Sequence, residues 1–240
     1  TSGGNYNVVV GDEAGTALTT GDDNVAIGFE ALSTEDAHGD NVAIGHQALK
    51  TLNVGTEGEN VAIGKGAGTS MTTGVQSVLI GKRSGDALTD ADRNTAVGYA
   101  TLSGDTLGSK STAVGYAALF TQNFTTATDT YNVAVGYEAG GAITTGDSNT
   151  LIGGLAGDAL TTGTDNVAIG KDALTSDTLG SKTVAIGKNT LEAQNFTTAT
   201  DANNVAIGDS AGQALTTGVS NTLIGALAGD AITDADFNVA

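Results

Sequence analysis

Few side chains in this sequence have the means to do chemistry, and their spacing argues mostly against a reaction. Cysteine is absent and the two histidines, His38 and His46, lie eight positions apart, so a nucleophile and base have little to draw on. His46 follows a glycine, at a position that other repeats fill with Phe29, Lys65, Lys82, Tyr99 or Asp209; this reads as a solvent-facing turn. No enzymatic activity is expected. Acidic turns are the second candidate. Asp22, Asp23, Asp86, Asp147, Asp158, Asp165 and Asp230 recur in turn-like stretches, and oxygen-rich turns can hold a hard cation such as calcium. The calcium-roll nonapeptide and the EF-hand spacing are both missing, so solvated turns are expected and no metal or cofactor is assigned.

Aromatic groups are the third candidate. Phe124 and Phe196 lie in identical Gln-Asn-Phe-Thr-Thr-Ala-Thr-Asp stretches. Either these loops offer surface contacts to a cell-surface glycan, or each Phe packs its loop back as a staple. The tripeptides Asn123-Phe124-Thr125 and Asn195-Phe196-Thr197 also match the N-glycosylation pattern, which short sequences meet by chance. Tyr99, Tyr116 and Tyr137 share one turn position and could form an aromatic stripe for sugars, or simply pack on one another.

The elements that position these groups are set by a repeat. Asn24 to Gly28, Asn41 to Gly45, Asn60 to Gly64, Asn166 to Gly170 and Asn204 to Gly208 all read Asn-Val-Ala-Ile-Gly. With variants such as Asn94 to Gly98 and Asn149 to Gly153, thirteen closing glycines run from Gly11 to Gly225, and nine of the twelve spacings between them are 17 residues. The others are 19, 21 and 21. A fixed period outranks local propensity, because each unit is too short to bury a core and must stack on its neighbours.

Val and Ile alternating with Ala mark a short strand, and glycine stops a helix at every unit. A second element, Ala-Leu-Thr-Thr-Gly at Ala159 to Gly163 and Ala214 to Gly218, predicts a second extended segment per unit. The recurring Asn reads as a coil-to-coil amide ladder, as a cap of its own turn, or as both. The whole of residues 1–240 is therefore read as one all-β, parallel β-helix or β-roll solenoid of thirteen coils, rising about 4.8 Å per coil. A longer period of 72 residues sits above it, and its longer coils carry insertions that should emerge as loops. Because the sequence begins without Met and stops inside another copy of the motif, it reads as a piece of a longer protein.

Composition narrows the classes. The formal net charge of −18 speaks against nucleic-acid binding and against docking on anionic lipid. No apolar run approaches the roughly 20 residues needed to span a bilayer as a helix. Thirty-six glycines without any proline exclude collagen, which needs both.

The repeated Asn-Val-Ala-Ile-Gly and Asn-Thr-Ala-Val-Gly segments resemble the repeats of bacteriophage tail fibres and of trimeric autotransporter adhesin heads. The resemblance implies a homotrimer of left-handed parallel β-rolls, adjoining further fibre or adhesin segments. The residues permit a trimer independently: Val and Ile share one strand face and Ala the other, so one face could pack inside and the other against a partner copy. A fatter monomeric helix with a half-exposed Ala face is the alternative, and sequence does not say which face meets a partner. The implied function is a structural segment of a virion tail fibre that positions a receptor-binding tip. The alternative is the head of an adhesin on the bacterial surface. The in-register pairs Thr19-Thr20, Thr161-Thr162 and Thr216-Thr217 raise ice binding as a third class, which adjacent acids and variable coil length disfavour.

Overall fold

The computed structural model describes residues 3–240, and among them there is no helix. The fold is a parallel β-solenoid of thirteen turns. It comprises two compact units.

The first unit takes the chain up to Val114 together with Asn123–Asp129. Its turns each contribute one three-residue strand: β1 Val8–Val10, β2 Val25–Ile27, β3 Val42–Ile44, β4 Val61–Ile63, β5 Val78–Ile80, β6 Thr95–Val97 and, after the short β7 Gly108–Ser109, β8 Thr112–Val114. Strand pairs with next strand in parallel and like meets like, as in Val25↔Val42 and Ala26↔Ala43. A two-residue strand β9, Thr128–Asp129, pairs with β7.

The second unit holds Gly115–Gln122 and the chain from Thr130. It repeats the plan with β10 Val133–Val135, β11 Thr150–Ile152, β12 Val167–Ile169, β14 Val184–Ile186, β16 Val205–Ile207 and β17 Thr222–Ile224. The two-residue strands β13 Gly180–Ser181 and β15 Thr200–Asp201 pair beside them.

Turns follow from left-handed residues at fixed offsets. Gly170 closes β12 at φ +135°, and a Cβ there would lie 2.4 Å from the carbonyl oxygen of Gly187 in the next coil. Glycine is thus required both by conformation and by the approach of stacked backbones. Two and four residues later Asp172 and Leu174 take φ 58° and 55°, and Lys182, ahead of the next strand, takes 59°. A buried Leu in this region costs about 1–2 kcal/mol, which its burial outweighs.

Core volume is balanced between coils. The strand centre is usually Ala, but Leu79, Leu151 and Leu223 interrupt the pattern. Leu151 is bracketed by Gly140 and Gly157, whose Cβ atoms would sit 2.7 and 2.8 Å from its methyl groups. Where neither a coil's own centre nor the next one is Leu, as at Ala26 and Ala168, the turn carries a buried Leu, Leu32 or Leu174.

One expectation and one alternative need correction. The Ala-Leu-Thr-Thr-Gly segment is not a strand. In the copy at Ala17 to Gly21 the amides of both Thr19 and Thr20 converge on the carbonyl of Asp36, at 2.7 and 3.3 Å, which breaks the alternation a strand ladder needs. The Ala face is also not half exposed: Ala26, Ala43, Ala134 and Ala168 are fully buried inside the coil.

Candidate functional site

Since the strand centre points inward, Val and Ile point out. In the first unit the outward columns run Val25, Val42, Val61, Val78, Thr95, Thr112 and Ile27, Ile44, Ile63, Ile80, Val97, Val114. The second unit repeats them from Val133 and Val135 to Thr222 and Ile224, with Val135, Ile152 and Ile207 exposed by 36, 38 and 37%. No charged residue stands in these columns. Each unit thus presents a regular aliphatic face of half-buried to exposed side chains without a charge.

The motif asparagines hold the face in register. Asn24, Asn41, Asn60, Asn166 and Asn204 are buried. The carbonyl oxygen of each accepts the amide of its successor one coil on: Asn24 Oδ1 from Asn41 at 3.1 Å and Asn166 Oδ1 from Thr183 at 3.0 Å. The side-chain amide donates to a carbonyl, mostly in the adjoining coil, as Asn166 to Gly180 and Asn60 to Gly74. Asn41 instead donates to Gly39 within its own turn. Ladder and cap are therefore both present. The partner glycines Gly28, Gly45, Gly64, Gly170 and Gly208 all sit at φ between 129 and 141°.

Tyr99, Tyr116 and Tyr137 are exposed. Tyr116 and Tyr137 stack with centroids 5.3 Å apart and planes 8° from parallel, and in the first unit the Lys82 ammonium lies over the Tyr99 ring. Phe124 and Phe196 are different. They are 7 and 5% exposed, so they are not surface contacts. Each ring packs its loop down, as a staple does.

What ties those loops was missed from sequence. The position seven residues after the closing glycine is apolar in most coils, as at Leu18, Leu52, Leu88 and Leu160. In the coil before each long coil it is a buried acid: Glu35, Asp105 and Asp177. Asp177 Oδ1 accepts the amides of Gly180 at 3.0 Å and Phe196 at 3.2 Å, and its Oδ2 accepts Gln194 Nε2 at 2.7 Å. Asp105 likewise accepts Gly108 and Phe124, and Glu35 accepts Val54 at 3.0 Å. Each carboxylate thus anchors the insertion of the following coil. Aligning the coils on their glycines would have shown an acid at a core register one turn ahead of every insertion.

The acids named for calcium do not converge. Asp86 is engaged by Arg83 and Ser103, and Asp22 accepts the amide of Asn5. The one cluster of metal-ligand type among the described residues is Glu35, Asp36 and His38, which contains none of them. Glu35 there already accepts the amides of Asp36, His38 and Val54. His46 is exposed and rests against Phe29, ring centroids 5.2 Å apart.

No protein-family model, curated protein or solved structure matches this chain.

Proposed function

We propose that this chain is a structural segment of a bacteriophage tail fibre, assembled as a homotrimer of left-handed rolls and spacing a receptor-binding tip from the virion. The outward Val and Ile columns carry the reading. Each unit presents them without a charge, roughly 4.8 Å per coil, for the length of its strand ladder. Leaving them in water forfeits about 25 cal/mol for every Å² that a partner would cover. A second copy offers the same periodicity, so aliphatic ridges meet at the same rise, and closed symmetry limits further growth. Three-fold closure and left-handed winding rest on the resemblance of the repeats. The exposed tyrosine pair Tyr116 and Tyr137 favours the second reading, a bacterial adhesin head that makes contacts of its own.

Sedimentation equilibrium on the purified chain tests assembly. A trimer is expected, and Ile169→Asp with Ile186→Asp should dissociate it while the β-type circular dichroism persists. A monomer that keeps the parent spectrum at micromolar concentration would remove the proposal.

A further inference from the structure

The turn position five residues after the closing glycine is polar in nearly every coil: Thr16, Ser33, Lys50, Thr69, Asp86, Ser103, Asp158, Thr175, Glu192, Gln213 and Asp230. It departs twice, in consecutive coils of the second unit, as Phe120 and Gly141. Gly141 removes a side chain from the column between Phe120 and Asp158. The result is an open cleft of about 280 Å³ lined by Ala117, Phe120, Thr121, Glu138, Gly141, Ala142 and Asp158.

Its chemistry is specific. Phe120 is 42% exposed and walls one end. Ala117, Gly141 and Ala142 keep the floor low, and the floor's backbone is already satisfied: the amide of Ala142 donates to the main-chain carbonyl of Asp158 and the Thr121 hydroxyl to that of Gly141. Glu138 and Asp158 supply carboxylate oxygens, and neither forms an ion pair among the described residues. Burial lifts the Asp158 carboxyl above its ordinary range, with a bond from Thr175 opposing and Asp172 and Glu138 adding to it.

We propose that this cleft binds one pyranose ring of a glycan, its C–H face on Phe120 and its hydroxyls donating to Glu138 and Asp158. The volume is at the lower end of ligand-sized clefts, roughly 300 Å³, which suits a single ring. An aromatic wall with a few convergent acceptors is what such a ligand needs. The carboxylates alone would serve a cation equally well; the exposed face of Phe120 is what favours a ring. The site does not depend on the trimer, although three copies would add avidity.

The same chain shows the cleft closed. Seventy-two residues on, the positions of Phe120, Glu138 and Gly141 hold Glu192, Ser210 and Gln213, and Gln213 Nε2 donates to Glu192 at 2.6 Å across the slot. The double variant Phe120→Glu with Gly141→Gln therefore installs a pair this fold already accommodates. Saturation-transfer NMR on the full chain, with methyl glucoside, methyl galactoside and N-acetylglucosamine as probes and choline as the cation arm, is the test. Weak, millimolar binding of at least one sugar is expected, reduced at least tenfold in Phe120→Ala and in the double variant, with melting unchanged. No sugar binding up to tens of millimolar, binding of choline alone, or sugar binding that survives both variants would overturn the proposal. Sedimentation of the same samples reports separately on the fibre reading.

Discussion

Replacing Asp177 by Leu asks whether its register is a core slot or an anchor. Leu160 and Leu215 occupy the same register in other coils of the unit and are fully buried. If only packing mattered, Leu would fit and add about 2 kcal/mol of burial. Asp177, however, is the acceptor for two backbone amides and for the Gln194 side chain. Each orphaned buried donor costs about 1–3 kcal/mol. Asp177, Gln194, Gly180 and Phe196 are all buried, so three orphaned donors cost about 3–9 kcal/mol. Subtracting the apolar gain leaves a net loss between about 1 and 7 kcal/mol. Asp177→Asn keeps an acceptor for the two amides but opposes its own NH₂ to that of Gln194, and should lose about 1 kcal/mol. The assay is urea unfolding followed by circular dichroism, with hydrogen exchange at Phe196 and Gly180. Those two amides should lose protection in the Leu variant ahead of the strand amides. A Leu variant as stable as the parent or more so, with both amides still protected, would refute the anchoring argument.

Gly170→Ala should be among the most damaging single substitutions, because φ is +135° and the Gly187 carbonyl oxygen would be 2.4 Å from the new methyl. A loss above about 3 kcal/mol, or failure to fold, is expected in thermal unfolding. Gly154→Ala, one residue beyond the closing glycine of its own coil and with nothing within 4 Å of the added carbon, should be neutral or gain up to about 1 kcal/mol. Asp40→Asn should raise the melting temperature at pH 7. Partial desolvation pushes the Asp40 carboxyl above its ordinary range, with Glu57, Asp23, Glu59 and Asp22 adding to it. Its folded-state pKa is the higher one, so the ionised form opposes folding at neutral pH. That penalty vanishes as pH falls and the group is protonated in both states. The gain should therefore shrink in acid and in high salt, as melting curves across pH and salt would show.

Sequence alone determined the solenoid. The spacing of Gly28, Gly45, Gly64 and their successors fixed coil length, and Val-Ala-Ile fixed one short strand per coil, because stacking identical units brings identical backbone donors and acceptors opposite one another. The asparagine ladder was legible for the same reason: a polar side chain at one register meets its own copy. What the sequence left open was direction. Val-Ala-Ile is apolar on both faces, and a period of two does not distinguish inside from outside when both sides are apolar. Only the folded coil decided it, since an interior this narrow admits Ala at most strand centres and balances each Leu with glycines, sending Val and Ile outward. The loops needed tertiary structure too. Phe124 and Phe196 read either as loop staples or as surface contacts until Asp105 and Asp177, in the preceding coils, were seen to hold their amides. Phe120 stays exposed because the neighbouring coil presents Gly141, a pairing of residues 21 positions apart that becomes a cleft only when the coils stack.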